Sequence, residues 1–317
     1  MKKRSWLFIA VGTLLAFAGV IGSPLFAQDE NDPETNKALV LALIEADNAR
    51  DYDRMDDLLA EDVVRHSAAT NTSMPETSVV TNREEYKRFL QASAEAFPDY
   101  QSTVLMVAAE GEYVAYYSTF SGTFIANGNK VEAPIVGFMR IEDGKIAEAW
   151  VEWDNVSWGA QMQQGAPPPV IGAYEPPASG DFDLEANRAL ALAWSEALNE
   201  RAYDRLDAIV ADDFVLRSSA MPDAQITSRE AMIGMLKATD EAYPDNKYAI
   251  QMMVVEGDLV AGYNLFSGTD AATGKQFEVP LVWFFRVEDG KLAELWAEWD
   301  TLTVLAQLGL LPPPEPE

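Results

Sequence analysis

The chain has 317 residues and a formal net charge of −28 at pH 7. Such acidity disfavours nucleic acid and anionic membrane surfaces as partners, because both are bound mainly through Lys and Arg. The sequence contains no cysteine, and its only histidine is His66. Disulfides, thiol nucleophiles and metal sites built from cysteine or several histidines are therefore excluded. No loop has the alternating acidic residues and central glycine typical of a calcium site, so we predict no metal.

The N-terminus has the pattern of a secretory signal peptide. Residues 2–4 are basic, residues 6–21 form an apolar run, and Gly22, Ser23, Pro24 and Ala27 follow. This pattern predicts a signal peptide over 1–27 that is cleaved in a secreted or periplasmic protein. Leu25 is a poor match to the small residue usually found before a cleavage site. An uncleaved segment that anchors the protein in a membrane therefore stays an alternative.

The rest of the chain is a tandem repeat. The segment EDGKIAEAWVEWD at 142–154 returns as EDGKLAELWAEWD at 288–300, and the stretch that starts at Asn36 returns at Asn187. A period of this size indicates duplication of a whole domain rather than a solenoid. The Pro-, Gly- and Ala-rich stretch between the copies is typical of a semi-rigid linker. We predict the following organisation: domain 1 over 34–169, a linker over 170–184, and domain 2 over 185–314.

Each copy begins with helical patterns and continues with strands. In the first copy, apolar residues recur with helical spacing from Leu39, and a short second helix follows. A third helix is predicted over 83–97, with Thr81 (Thr227 in the second copy) at the N-cap and Pro98 as its end. Four strand-like runs follow, separated by short turns that contain glycine, which predicts antiparallel hairpins. Helices first and strands afterwards indicate an α+β fold.

These motifs, in this order, resemble a known family. Phe-Pro-Asp at 97–99, Ser-Gly-Thr at 121–123 and the segment at 142–154 each have a counterpart in the second copy. Their order resembles the SnoaL-like polyketide cyclases of the nuclear-transport-factor-2-like superfamily, over both copies. The resemblance implies two tandem cone-shaped domains, each with N-terminal helices packed on a curved antiparallel sheet around an apolar pocket. It also implies a small hydrophobic ligand, acid–base chemistry without any cofactor, and pairing through the sheet. Two fused copies would then form an intramolecular pseudo-dimer.

Two aspartates are the candidate catalytic residues. The resemblance implies that an Asp in the closing segment acts as acid and base, and Asp154 and Asp300 match it. In a strand, alternation places Glu152 and Trp150 on the same face as Asp154. A carboxyl beside a tryptophan in a pocket would be desolvated, which raises its pKa and suits it to acid–base work. Alternatively, each Asp caps the helix that follows it, and Glu152 faces solvent.

Five aromatic or imidazole side chains are candidate ligand-binding residues. His66 ends the first strand, where members of the family often have a pocket histidine. Tyr117 and Tyr263 stand where the family often has Arg, and their hydroxyls can donate hydrogen bonds to a carbonyl. Trp150 and Trp296 are candidates for an apolar wall. The alternatives are a solvated or hydrogen-bonded His66 and tyrosines that belong to the core.

The sequence leaves three functions open. The first is an exported tandem SnoaL-like protein that binds a small hydrophobic molecule and cyclises, isomerises or hydrolyses it. The second is a non-catalytic extracytoplasmic carrier or interaction module, because Phe124 and Asp270 replace a histidine common in the family. The third is a structural pseudo-dimer whose pockets are filled by its own side chains, for example Trp283. The closing segment favours the second copy as the active one, whereas His66 favours the first.

Overall fold

The computed structural model describes residues 32–69, 80–177, 180–221 and 226–311. The predicted signal peptide over 1–27 lies outside these residues. Within them, no helix is both long enough and apolar enough to cross a membrane.

The two halves of the chain have the same order of elements. The first domain contains α1 Pro33–Ala49, α2 Met55–Leu58, β1 Leu59–His66, α3 Arg83–Ala96, β2 Gln101–Glu110, β3 Tyr113–Thr123, β4 Lys130–Glu142, β5 Lys145–Glu152 and α4 Asn155–Gln164. The second contains α5 Leu184–Glu200, a 3₁₀ turn Tyr203–Arg205, α6 Leu206–Ile209, β6 Val210–Arg217, α7 Arg229–Ala242, β7 Lys247–Glu256, β8 Leu259–Thr269, β9 Gln276–Glu288, β10 Lys291–Trp299 and α8 Thr301–Leu308. The predicted α+β class is confirmed.

Each domain is built on one five-stranded sheet. The strand order is β1-β5-β4-β3-β2 in the first domain and β6-β10-β9-β8-β7 in the second. Strands β2 to β5 pair antiparallel, as the glycine-containing turns predict. Strand β1 differs from the expectation of a fully antiparallel sheet, because it runs parallel to β5, with His66 opposite Trp150. The long connection through α3 allows this direction, which a tight hairpin would not.

The third helix of each domain begins where the sequence predicts, but one residue beyond the predicted cap. Asn82 is the N-cap of α3, and its side chain accepts the backbone N–H of Glu85 at 3.0 Å. Ser228 caps α7 in the same way. Thr81 instead donates its backbone N–H to the carboxylate of Glu85. The expectation that Thr81 and Thr227 are the N-caps is therefore wrong by one position.

The outer faces of the two sheets pack against each other. A buried apolar cluster joins residues of both domains, among them Met106, Ala115, Tyr117, Phe138, Val254, Ala261, Tyr263 and Phe284. At the rim, Lys37 pairs with Glu256 and Arg188 pairs with Glu110. These two ion pairs occupy equivalent positions in the two copies, and reciprocal contacts of this kind characterise a two-fold interface. The domains therefore meet through equivalent surfaces, as the predicted pseudo-dimer requires.

The segment between the domains is held against the second domain. The indole N–H of Trp296 donates to the backbone carbonyl of Ile171 at 2.9 Å, and Ile171 is buried. The hydroxyl of Tyr174 donates to Asp258 at 2.6 Å. These contacts restrain the stretch for which the sequence predicts a semi-rigid linker.

Candidate functional site

The first domain encloses a large cavity between its helices and the inner face of its sheet. The cavity has a volume of about 610 Å³ and a mainly apolar wall. We call it the cone cavity, and its wall includes Leu43, Phe89, Phe120, Met139, Trp153 and Trp158. Leu302, from the first turn of α8, completes the wall from the second domain. The pairing of the domains therefore shapes this cavity.

An aspartate at the end of α1 faces the cone cavity. Oδ1 of Asp47 accepts a hydrogen bond from the hydroxyl of Tyr100. Its Oδ2 has no hydrogen-bond partner among the residues that the structure describes. Burial raises the pKa of Asp47 to about 6, although the hydrogen bond from Tyr100 and the charge of Arg50 oppose this rise. Asp47 is thus a carboxylate that can exchange a proton near neutral pH.

A buried guanidinium and two phenols lie in the same wall. Arg65 lies beside Tyr86 and Tyr116, and all three side chains are buried. The Arg65 guanidinium carbon is 4.3 Å from the centre of the Phe89 ring. Burial lowers the pKa of Arg65 and raises the pKa of both tyrosines, so the phenols keep their protons. Asp47, Arg65, Tyr86 and Tyr116 form what we call the polar cluster.

The second domain lacks this cluster. At the equivalent positions the polar side chains are replaced by residues that cannot ionise or donate a side-chain hydrogen bond. These replacements are Leu198 for Asp47, Leu216 for Arg65, Met232 for Tyr86 and Gly262 for Tyr116. Leu198, Leu216 and Met232 belong to the apolar core of the second domain. The two copies therefore differ in chemistry at the same place in the fold.

Large aromatic rings fill the space in the second cone. Trp283 pairs across strands with Gly262, whereas in the first domain Gly137 pairs with Tyr116, so the large and small residues are exchanged. A side chain on Gly262 would place its Cβ 2.0 Å from Trp283. The Trp283 ring packs against Phe285 with centroids 5.0 Å apart. The expectation that core aromatics fill a cone holds for this domain, through Trp283 and Phe285. Phe284 instead packs in the interface between the domains.

The aspartates proposed as catalytic cap helices, and neither lines the cone cavity. Asp154 caps α4 by accepting the N–H of Ser157 at 2.8 Å, and Asp300 caps α8 by accepting that of Thr303 at 2.9 Å. The remaining oxygen of each accepts a backbone N–H from the other domain. Burial raises the pKa of Asp154. Strand β5 ends at Glu152, and Asp154 stands at the N-terminus of the next helix, so the alternative of a helix cap describes both aspartates.

The glutamates two positions earlier are fully buried. Glu152 accepts the backbone N–H groups of Ala68 and Ala69 at 2.9 and 3.2 Å. Glu298 accepts the backbone N–H of Ser219 at 3.1 Å and the hydroxyl of Tyr117 at 3.0 Å. Burial raises the pKa of each glutamate to about 8, despite these hydrogen bonds. The possibility that Glu152 faces solvent is therefore excluded.

The five predicted ligand-binding residues lie outside the wall of the cone cavity. Tyr117 and Trp296 are buried between the domains, where they bond to Glu298 and to the linker. His66 is 44% exposed at its side chain, bonds to Glu148 at 2.8 Å and stacks on Trp150. His66 and Tyr263 do line a smaller cavity between the domains. The structure thus brings His66, Trp150 and Tyr263 together, away from the cone.

Sequence reasoning missed the polar cluster. Asp47 was missed because it is one of several acidic residues in a helical segment. Arg65 was missed because the candidate chosen at the end of its strand was the neighbouring His66. A comparison of the two copies could have found the cluster, because its polar residues in the first copy align with non-polar residues in the second. Among the described residues, no group of three acidic or histidine side chains is arranged to hold a metal ion.

Comparisons with known proteins identify both domains. The model of the SnoaL-like polyketide cyclases matches residues 188–308, and the model of the SnoaL-like domain matches residues 40–149. No curated protein matches the chain.

Several solved structures are similar to one domain. TsrD from Streptomyces laurentii is 28% identical, covers 41% of this chain over 100% of its own, and has a TM-score of 0.38. A loop-truncation variant of IdmH from Streptomyces antibioticus is 30% identical, covers 39% of this chain over 99% of its own, and has a TM-score of 0.35. A SnoaL-like polyketide cyclase from Agrobacterium tumefaciens is 21% identical over 39% of this chain and 98% of its own, with a TM-score of 0.34. The two matched family models together span most of the chain, so the protein belongs to the SnoaL-like family and carries two copies of its domain in tandem.

Proposed function

We propose that the first domain binds a small hydrophobic carbonyl compound in the cone cavity and moves a proton at the carbon next to the carbonyl. Such proton transfer is a step common to cyclisation and isomerisation. One observation carries the proposal: the polar cluster occurs only in the open cone, and each member has a non-polar counterpart in the filled one. The second domain then acts as a partner that supports the first.

The chemistry follows from the positions of the charges. With a pKa of about 6, the Asp47 carboxylate is ionised at neutral pH and still basic enough to accept a proton. When Asp47 removes the proton, the electron pair of the C–H bond moves towards the carbonyl oxygen. The hydroxyls of Tyr86 and Tyr116 and the charge of Arg65 are suited to stabilise that oxygen. Return of the proton at another carbon would complete an isomerisation.

Asp154 and Asp300 receive a structural role in this proposal. Each carboxylate caps the helix of its own domain and accepts a backbone N–H from the other domain, and neither lines the cone cavity. The acid–base role that the family resemblance implies for them is instead assigned to Asp47.

Deuterium exchange tests the proposal. In D₂O, 2-tetralone, an apolar ketone with acidic α-protons, is incubated with the protein, and loss of the α-proton signal is followed by proton NMR. We expect the protein to accelerate exchange, and Asp47→Asn to slow it by about a hundred-fold or more, the usual contribution of a general base. The matched control is Asp240→Asn, because Asp240 also accepts a tyrosine hydroxyl but lies in the second domain. Equal exchange by Asp47→Asn and the unmodified protein would contradict the mechanism.

The same experiment separates an enzyme from a carrier. The apolar wall of the cone cavity alone is sufficient for binding. Saturable binding of 2-tetralone without acceleration of exchange would favour the non-catalytic carrier over the enzyme.

We also propose that the protein is exported. The basic residues 2–4, the apolar run 6–21 and the residues Gly22, Ser23, Pro24 and Ala27 that follow support this proposal. Mass spectrometry of protein from a secreting host should find a mature chain that begins at Gln28. An intact N-terminus in a membrane fraction would favour the anchored alternative.

A further inference from the structure

A second cavity lies where the two domains meet. Its volume is about 450 Å³, and its wall contains Arg65, His66 and Glu152 from the first domain and Tyr263 and Pro280 from the second. We call it the interdomain cavity. His66 lies at its exposed side, and Arg65 separates it from the cone cavity, because the Arg65 side chain lines both.

The equivalent place on the opposite side of the pseudo-two-fold axis has a different set of hydrogen bonds. There, the hydroxyl of Tyr117 donates to Glu298 across the domain boundary at 3.0 Å. Ser219 adds its backbone N–H and its hydroxyl to the same carboxylate. Tyrosine, glutamate and serine therefore satisfy one another in this half of the interface.

The half that contains the interdomain cavity has the same tyrosine and glutamate but not their bond. Ala68 stands in place of Ser219, so this position has no hydroxyl to donate, and among the described residues Glu152 accepts backbone N–H groups only. The hydroxyl of Tyr263 has no hydrogen-bond partner in the described part of the chain, although Tyr263 and Glu152 line one cavity. The tyrosine and the glutamate are thus hydrogen-bonded to each other in one half of the interface, as Tyr117 and Glu298, whereas Tyr263 and Glu152 in the other half are not. An unpartnered phenol next to a buried acid indicates room for a ligand that bonds to both.

We propose that the interdomain cavity is a second binding site, which takes a small neutral carbonyl compound whose oxygen accepts hydrogen bonds from the Tyr263 hydroxyl and the Glu152 carboxyl. This site is independent of the cone cavity and of the acid–base role of Asp47.

The protonation states support this choice of ligand. Burial raises the pKa of Glu152 to about 8 and also raises the pKa of Tyr263, so both groups carry a proton near neutral pH. Both groups then act as donors, and a carbonyl oxygen can accept two hydrogen bonds. The positive charge of Arg65 in the wall adds attraction for the negative end of the carbonyl dipole. A primary amine is disfavoured, because its ammonium form would meet this buried cation.

Carbon-13 NMR with cyclohexanone labelled at the carbonyl carbon tests the site. A stronger hydrogen bond to the oxygen withdraws electrons from the carbonyl carbon, so the bound signal should move downfield. We expect Tyr263→Phe to weaken binding about three- to ten-fold, the usual value of one hydrogen bond, and to reverse part of the shift. The matched control, Tyr117→Phe, removes the pseudo-symmetric hydroxyl, which is already bonded to Glu298, and should leave both quantities unchanged.

Two further measurements separate this site from the cone cavity and from simple apolar binding. Asp47→Asn should not change the shift of the bound signal, because Asp47 lines only the cone cavity. Methylenecyclohexane, which has the same ring but no oxygen, should bind equally to the unmodified protein and to Tyr263→Phe. The proposal is overturned if cyclohexanone shows no downfield bound signal, if Tyr263→Phe binds it as tightly as the unmodified protein, or if the signal depends on Asp47 and not on Tyr263.

Discussion

Asp154 and Asp300 each accept a hydrogen bond from the backbone N–H of the residue that follows the other aspartate, across the domain boundary. Oδ1 of Asp154 accepts the backbone N–H of Thr301 at 2.9 Å, and Oδ1 of Asp300 accepts that of Asn155 at 3.0 Å. Each carboxylate also caps the helix of its own domain. The N-termini of α4 and α8 thus meet around two buried carboxylates, and the partial positive charge at each helix start stabilises them. This arrangement accounts for acids beside tryptophans in both copies of the closing segment.

Removal of one of these carboxylates should destabilise the protein. We expect Asp300→Ala to lower the free energy of unfolding by about 2–4 kcal/mol, because it removes a helix cap and leaves the half-buried N–H of Asn155 without this acceptor. Urea denaturation measures the change. Asp270→Ala is the control, since Asp270 bonds to Thr273 in an exposed turn and should cost about 1 kcal/mol or less. Unchanged stability in Asp300→Ala, together with lost turnover, would return Asp300 to the catalytic role.

The two interface tyrosines should respond differently to loss of their hydroxyls. Tyr117→Phe removes the hydrogen bond to buried Glu298 and should lower the free energy of unfolding by about 1–2 kcal/mol. Tyr263→Phe removes a hydroxyl without a partner in the described residues and should change it by less than about 0.5 kcal/mol. Thermal unfolding of the two variants side by side measures the contrast. Equal destabilisation by both would mean that Tyr263 makes a hydrogen bond as strong as that of Tyr117.

Stability should fall as the pH rises from about 5 to about 8. The pKa of Glu298 is about 8 in the folded protein and 4.5 as the ordinary value, so in this range the folded state holds a proton that the unfolded state releases. The free energy of unfolding therefore falls as the pH rises, and Glu152, whose pKa is raised in the same way, adds to this fall. Carboxylates with a lowered pKa, such as Asp99, act mainly below this range. The total loss should be on the order of a few kcal/mol.

Glu298→Gln should flatten this dependence. Glutamine resembles the protonated acid and cannot release a proton, so the variant should be more stable than the unmodified protein at pH 9 and similar to it at pH 6. Urea midpoints at the two pH values make the comparison. A variant with the same slope as the unmodified protein would place the titrating group elsewhere.

Much of the fold could be predicted from the sequence, because its signals are local. Glycine-containing turns and helix-ending prolines mark the boundaries of the elements, and the duplicated segments mark the domains. The parallel pairing of β1 with β5 was not predicted, since it depends on a connection that passes through α3. The candidate site was missed for a similar reason. Asp47, Arg65, Tyr86 and Tyr116 come from four elements, and only the folded domain brings them together around the cone cavity.

Exchange of α-protons in the cone should follow the ionisation of Asp47. Because burial raises the pKa of Asp47 to about 6, the rate should fall about ten-fold for each pH unit below 6 and level off above about 7. The pH profile of the exchange of 2-tetralone provides the measurement. Tyr100→Phe removes a hydrogen bond that stabilises the Asp47 carboxylate, so this variant should shift the profile to higher pH. A profile that does not move in Tyr100→Phe would argue against Asp47 as the titrating base.

Removal of the tryptophan that fills the second cone should create a binding cavity without creating an enzyme. Trp283→Gly leaves space for an indole ring and should lower the free energy of unfolding by about 3–5 kcal/mol. Free indole should raise the unfolding temperature of the variant more than that of the unmodified protein, since a ligand that binds only the folded state stabilises it. Failure of indole to restore stability would mean that the neighbouring side chains collapse into the gap.

The new cavity should bind 2-tetralone without adding to exchange, because Leu198 stands where the first domain has Asp47. Exchange in Trp283→Gly/Asp47→Asn, compared with Asp47→Asn alone, isolates the contribution of the second cone.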